Sequence, residues 1–460
     1  MFFALLLALV SPGDWVPARW HSLEAKSLEL LANTPINCLL VQWKAEQKAA
    51  LAAFASNAAS RGVATLAVIS PGGDPIGVSR EAVQSKLTGV VLEGDFPQGT
   101  AERVRDGLAD SKASVIELTS RRRMKLGSNA PVLGTYQGVW PGIEVLEGGA
   151  AKAGPSGSPW INTNAGFLRV ARAFGGSAIW IGNRPPPKMA MTAENYLQAI
   201  GDAAIVAARW IVALDEPFEA RLRQGDPAAL AQWKRIGRYL QFYEEHPEWR
   251  ALEPAGKLAI VQDPNNGALL SGGILDMIAA RHTPVRAVPP QRLNLDILRE
   301  STMAVDVNSD ALTAQQKETL KAFTRSGGTL LTGPPGWKDQ PPLKDDQITL
   351  DDKELKRLDD IWHDVQSMIG RSNLGARLFN VSSMLSNLLA SKNGKEVVVH
   401  LVNYSSYPVE SVTVHVLGNF KHARLYTPEG PARDLEVYKN DEGTGIDIDK
   451  VSVCATLLVD

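Results

Sequence analysis

INCLLVQ, residues 36–42, is an apolar run with the length and continuity of a strand buried on both faces, and the fold follows from what comes after it. Lys44–Ser60 sets Ala, Leu and Phe at helical spacing. Ala64–Ile69 then reads as a strand, a Pro-Gly-Gly loop leads to a helix near Arg80–Lys86, and Gly89–Leu92 is the next strand. A helix near Thr100–Asp110 and the strand Ser114–Leu118 keep the rhythm. Further strands are expected at Val132–Thr135, Trp160–Asn162, Ala178–Gly182 and Trp210–Leu214, with helices near Gly166–Ala173, Ala193–Ala208 and Ala228–Glu245. Such alternation predicts an α/β fold, a TIM-like (β/α)8 barrel, with a doubly wound sheet as the alternative. Arg121–Asn129 and the Gly/Pro-rich stretch Gly142–Pro159 read as loops in place of helices.

The rhythm breaks around Pro247–Gly256. Beyond it, strands at Leu258–Gln262, Val285–Val288, Met303–Val307 and Thr329–Thr332 flank helices at Gly272–Arg281 and Leu312–Ser326, the latter with Thr313 as a cap. This predicts a second, smaller α/β domain over residues 251–375. A polar, charged region, Lys338–Lys356, lies within it. From about Phe379 the texture changes to short Val-, Thr- and Tyr-rich runs: Val397–Asn403, Ser411–Val416, His422–Tyr426, Leu435–Lys439 and Val451–Leu458. A small antiparallel β-sandwich over residues 376–460 is expected. At the other end, Phe2–Val10 is unbroken apolar sequence followed by Ser11-Pro12-Gly13. Residues 1–20 read as an export signal, with a buried terminal segment or a membrane anchor as alternatives, and the barrel as residues 21–250. An export signal implies a periplasmic or extracellular location; without one the location is cytoplasmic. The run is far short of the ~20 residues that span a bilayer, and no later stretch is long and apolar enough, so no stable membrane anchor is expected in the mature chain.

Lys plus Arg number 48 and Asp plus Glu 50, a net charge of −2, which leaves no basic surplus for a nucleic-acid partner. Two cysteines, Cys38 and Cys454, exclude a disulfide framework and a thiolate zinc cluster. Of the seven histidines none lies between residues 22 and 245, so the barrel holds neither a His-rich metal centre nor a histidine base. Glycine-rich nucleotide-binding motifs are missing, and no cofactor or metal is expected; a carboxylate-only calcium site near Glu93 and Asp95 is the one arrangement left open.

Barrel chemistry belongs at the C-terminal ends of the strands. Four carboxylates fall there: Glu93 and Asp95 after Leu92, Glu117 in Val115-Ile116-Glu117, and Asp215 before Glu216-Pro217. Glycoside hydrolysis needs two such groups across a sugar, and these four are the catalytic candidates. Each also has a structural role open to it: Asp215 as a helix cap, Glu117 in a salt bridge with Arg121–Arg123. Flat rings and planar amides suit a sugar, which makes Trp43, Tyr136, Gln137, Trp140, Asn162, Asn164, Asn183 and Arg184 the substrate-binding candidates. Trp160, Trp180 and Trp210 read first as core filling, with a ligand contact as the alternative.

The tail carries a resemblance. EVVVHLVNYSSYPVESVTVHVLG (396–418), ARLYTPEG (423–430) and VSVCATLLVD (451–460) resemble the C-terminal β-domain of bacterial multidomain glycosidases. ALTAQQKETLKAFTRSGGTLLTG (311–333) resembles the amidotransferase-like trimerisation domain of family-42 β-galactosidases, whose domain order is also barrel, amidotransferase-like domain, β-sandwich. The resemblance implies a glycosidase acting on a carbohydrate, with a homo-oligomer built through the middle domain. That domain has no cysteine nucleophile, which excludes glutaminase chemistry. The resemblance also implies an acid/base Glu after strand four, in an Asn-Glu pair, and a nucleophile Glu after strand seven. Here Glu117 lacks the preceding Asn, and Trp180-Ile181-Gly182-Asn183-Arg184 has no carboxylate. Two readings follow: a hydrolase that uses other rim carboxylates, or an inactive glycosidase-like protein that binds glycans or serves in assembly.

Overall fold

The computed structural model describes residues 11–141, 143–145, 151–153, 163–187, 189–261, 283–306, 309–332, 343–344, 347–348, 360, 363–381 and 383–460. The chain divides into two compact units: residues 1–138, 176–193 and 208–244, and residues 139–175, 194–207 and 245–460.

The first unit is an eight-stranded, all-parallel sheet: β1 (Pro17–Arg19), β2 (Cys38–Gln42), β3 (Ala64–Ile69), β4 (Gly89–Glu93), β5 (Ser114–Thr119), β6 (Val132–Thr135), β7 (Ala178–Ile181) and β8 (Ala208–Trp210). Ala18 bridges to Val212 beyond β8, and the Arg19 amide donates to the Val212 carbonyl at 2.7 Å, so first and last strands meet. The barrel expectation holds, with one change of membership. The first strand is Pro17–Arg19, inside the stretch read as an export signal, whereas Trp160–Asn162, expected as a strand, lies outside the described residues, as does Phe2–Val10. Register divides each strand into two faces. Cys38, Leu40, Leu66, Val68, Val91, Ile116, Leu118, Val132, Trp180 and Ile211 fill the interior, which makes the barrel a packed core. Gly134, the direct partner of Trp180, leaves room for Leu118, whose Cδ2 a side chain there would meet at 2.2 Å.

Helices follow where the sequence supplies a start. Asp74 caps α1's successor α2 (Pro75–Gln84) by accepting from the Ile76 amide at 3.0 Å, after α1 (Lys48–Ala59) has returned the chain from β2. Next, α3 (Thr100–Gly107) links β4 to β5, and only the 3-10 turn Arg121–Arg123 is found between β5 and β6.

In the second unit, α4 (Ala165–Ala173) and α5 (Ala193–Ala204) fold with C-terminal sequence. A four-stranded parallel sheet runs β10 (Val285–Val288), β9 (Leu258–Val261), β11 (Met303–Asp306), β12 (Thr329–Thr332). Its alternate residues feed two cores. Leu258, Ile260, Met303 and Val305 pack with Val170 of α4, while Ala259, Val261 and Ala304 pack with Leu320 and Phe323. The latter two belong to the helix Ala314–Arg325, whose start is a capping box of Thr313 and Gln316. The expected helix Gly272–Arg281, the segment Gly333–Gly336 and most of Lys338–Lys356 lie outside the described residues.

The tail is a sandwich of a six-stranded and a four-stranded antiparallel sheet around Leu401, Val414, Ile446 and Leu457. Two runs expected as single strands are each broken. Gly430–Leu435 and Val437–Asn440 lie in different sheets, as do Gly443–Val451 and Cys454–Val459, because the chain crosses the core at Glu436 and at Ser452–Val453. Neither cysteine forms a disulfide, and both are buried. Among the described residues no helix is long and apolar enough to cross a membrane.

Candidate active site

Counting from Pro17–Arg19 makes Gly89–Glu93 the fourth strand, so Glu93 rather than Glu117 stands at the end of strand four. Glu93 is in register with Leu118 and two residues from Val91, both of which face the interior. Its carboxylate therefore turns into the C-terminal mouth of the barrel. There it meets Arg19, at the end of β1, in a bidentate pair: Nη1 donates to Oε2 and Nη2 to Oε1, each at 2.8 Å. The side chains are 6% and 13% exposed. Two parallel charge-assisted bonds fix the carboxylate in plane and angle. The Arg19 Nε is buried without a partner, so the guanidinium keeps one donor uncommitted. Nothing in the sequence singles out Arg19, because a three-residue strand carries no periodicity.

The other carboxylates go elsewhere. Asp95 turns to the β5–β6 link, where its oxygens accept from the amide (3.0 Å) and hydroxyl (2.9 Å) of Ser120. Glu93 and Asp95 are thus held apart by different partners. The calcium arrangement fails on that geometry, since both Glu93 oxygens are committed to a guanidinium. Asp215 is 5% exposed and caps α6 (Glu216–Arg223), accepting from the Phe218 amide at 3.0 Å and the Met191 amide at 3.3 Å. Glu117 lies between the inward-facing Ile116 and Leu118 and so points out of the barrel. It accepts from Arg105 Nη2 at 2.9 Å and meets Lys125 Nζ at 3.5 Å; its partners are these two and not the expected Arg121–Arg123. Beside it opens a cavity of about 270 Å3.

Of the binding candidates, five stay at the strand ends of the first unit. Trp43 follows β2, half-buried, its amide donating to the Val68 carbonyl at 3.2 Å. Tyr136 and Gln137 follow β6; the Gln137 Oε1 accepts from the Arg121 amide at 2.8 Å. Asn183 follows β7 and donates to the Gly138 carbonyl at 2.9 Å, and Arg184 beside it is exposed. Asn162 lies outside the described residues. Trp140 and Asn164 belong to the second unit and are not surface contacts. Trp140 is 4% exposed, edge-on to Tyr196 with ring centres 5.6 Å apart. Asn164 is fully buried: Oδ1 accepts from the Val139 amide (2.7 Å), and Nδ2 donates to the Val139 carbonyl (2.9 Å) and to Asp202 (2.8 Å). Asp202, on α5, also accepts from the Tyr404 hydroxyl at 2.7 Å. Burial pushes the Asp202 carboxyl above the usual carboxylate range, and these donors oppose it. This clip needs a planar amide as much as a sugar does, and sequence alone does not separate the two uses.

No family model matches the sequence, and no curated protein sequence does. Solved structures do. The chain is similar to α-L-fucosidase isoenzyme 2 from Paenibacillus thiaminolyticus, with 11% identity over 96% of this chain and 99% of that one and a TM-score of 0.63. Weaker likenesses include the cold-adapted β-galactosidase from Rahnella sp. R3 (9% identity, 98% and 99% covered, TM-score 0.43) and a rhamnosidase from Novosphingobium sp. PP1Y (10%, 89% and 39%, TM-score 0.43). Together with the closed parallel sheet and the tail sandwich, the first of these shows that the chain shares the fold of that α-L-fucosidase.

Proposed function

We propose that this chain is a glycoside hydrolase-type protein that acts on a carbohydrate at the C-terminal mouth of the barrel, with Glu93 as the central carboxylate. The observation that carries the reading is the inward turn of Glu93 at the end of strand four onto Arg19. The family-42 resemblance expects an acid/base Glu in an Asn-Glu pair after this strand; Glu93 follows Leu92 instead and is held as an acceptor, so it takes a different role here. Both Glu93 oxygens accept hydrogen bonds, so the group offers negative charge to an oxocarbenium-like transition state and not a proton. Trp43, Tyr136, Asn183 and Arg184 around the mouth supply rings and hydrogen-bonding groups for the sugar. The resemblance between this domain order and that of multidomain glycosidases supports the same reading.

A second reading, binding without hydrolysis, is favoured by one observation: the oxygens of Asp95 and Asp215 also accept, from Ser120 and from backbone amides, and Glu117 faces away. None of the four stands ready as a proton donor. A panel of 2,4-dinitrophenyl glycosides separates the two, because that leaving group departs without protonation. Turnover by the wild type, reduced ~100-fold or more in Glu93→Gln, supports hydrolysis at Glu93. Equal turnover by both proteins removes Glu93 from the chemistry. Sugar binding with no turnover on any member of the panel establishes the second reading.

A further inference from the structure

The cavity beside Glu117 lies outside the barrel interior, between the loop after β4, the start of α3 and the segment following β5. Its wall carries an alternating row. Lys125 Nζ sits 2.7 Å from Glu102 Oε1 and 3.5 Å from Glu117 Oε2, and Arg123, which also lines the cavity, donates from Nη1 to the Phe96 carbonyl at 3.0 Å; Arg105, behind the wall, holds Glu117 Oε1 from Nη2 at 2.9 Å. Acceptor, donor and acceptor follow one another along Glu102, Lys125 and Glu117, and with Arg123 the lining sets two anions against two cations. Phe96 and Pro97 line the cavity as well and add an apolar face, and Thr119 adds a hydroxyl.

This combination selects a ligand class. The lining is balanced in charge, Glu102 and Glu117 against Arg123 and Lys125, so it does not favour a polyanion or a polycation. A hydroxyl both donates and accepts, and neighbouring hydroxyls on a ring can donate to a carboxylate and accept from the ammonium beside it. Those bonds are charge-assisted and the strongest of their kind. The C–H face of the same ring suits Phe96 and Pro97. At about 270 Å3 the cavity falls just below the ~300–1,000 Å3 typical of drug-sized ligands, the scale of a single sugar ring.

We propose that this cavity is a second carbohydrate site, separate from the barrel mouth, which holds one neutral monosaccharide unit through Glu102, Lys125 and Glu117. The inference rests on the reading of the protein as carbohydrate-active, and adds to it a place for a sugar residue away from Glu93.

The test is titration of the full chain with neutral monosaccharides (glucose, galactose, mannose, xylose and fucose), followed by ligand-observed NMR and calorimetry. Glu102 and Lys125 are half-exposed, so Glu102→Gln and Lys125→Met leave the fold intact, which unchanged melting confirms. At least one sugar is expected to bind the wild type, and each variant to weaken it about tenfold or more, the loss of one charge-assisted bond. Binding that survives both cavity variants but fails in Glu93→Gln overturns the second site and leaves the barrel reading standing. Absence of binding by any of these sugars overturns the second site too, while turnover of the dinitrophenyl panel judges the barrel separately.

Discussion

Replacing Glu93 by Leu keeps the volume of the side chain and removes its charge, which leaves the Arg19 guanidinium facing an apolar barrel interior. Arg19 is only 6% exposed at its side chain, and its Nε already lacks a partner. Both of the 2.8 Å bonds from its terminal nitrogens end on Glu93, so the single change strands a charge with little access to water. Breaking a buried pair on one side costs ~3–5 kcal/mol. In a unit of ~150–250 residues each kcal/mol moves the melting temperature ~2–4 °C, so the barrel transition should fall by about 6–20 °C. Replacing both partners, Arg19→Met with Glu93→Leu, removes the stranded charge, and the double variant should recover most of the loss. Scanning calorimetry of the four proteins of this cycle gives the answer. A single Glu93→Leu variant that melts with the wild type, or a double variant as unstable as the single, refutes the claim that the pair closes the barrel interior by mutual neutralisation.

Two further outcomes follow from particular side chains. His400 is fully buried, 2.9 Å from the Thr456 hydroxyl, and burial, with Arg172 and His246 nearby, lowers its pKa to about 3. Its unfolded value is ~6.5, so the unfolded state binds the extra proton between these limits and stability falls as pH drops through that window, by ~1.4 kcal/mol per unit. Relative to His400→Gln, the wild type should lose ~2 kcal/mol in urea unfolding between pH 7 and 5; parallel curves would sink the argument. Gly134→Ala puts a methyl 2.2 Å from Leu118 Cδ2 and 2.9 Å from the Glu117 carbonyl, and should destabilise the barrel by ~1–3 kcal/mol through overpacking, read as a lower urea midpoint.

What was legible in the sequence follows the strength of its patterns. Cys38–Gln42 and Ala64–Ile69 are buried on both faces and announce themselves as apolar runs. Pro17–Arg19 does not. Three residues that include a proline and an arginine have no period, and only pairing with Cys38–Leu40 and the bridge from Ala18 to Val212 make them a strand. Missing that strand shifts the count, which moves the end of strand four from Glu93 to Glu117. The facing of Glu117, by contrast, was readable: Ile116 and Leu118 flank it, and an inward apolar pair puts the residue between them outside. The fate of Asn164 was not, since its partner Asp202 lies 38 residues away on another helix.

The Asp202–Tyr404 bond joins positions 202 residues apart. Around it, Gln198 donates to the Ser405 carbonyl, Arg169 to the Ser386 carbonyl and Asn387 to the Ile205 carbonyl. Helices that lie between barrel strands in sequence thus find several of their buried partners in the last fifth of the chain. At a synthesis rate of ~5–20 residues per second, α5 waits about 10–40 s after leaving the ribosome for Tyr404 to be made. During that interval Asp202 has its Asn164 donors but lacks the Tyr404 hydroxyl, and Arg169 lacks the Ser386 carbonyl. A fragment ending near residue 250 would lack these four partners altogether.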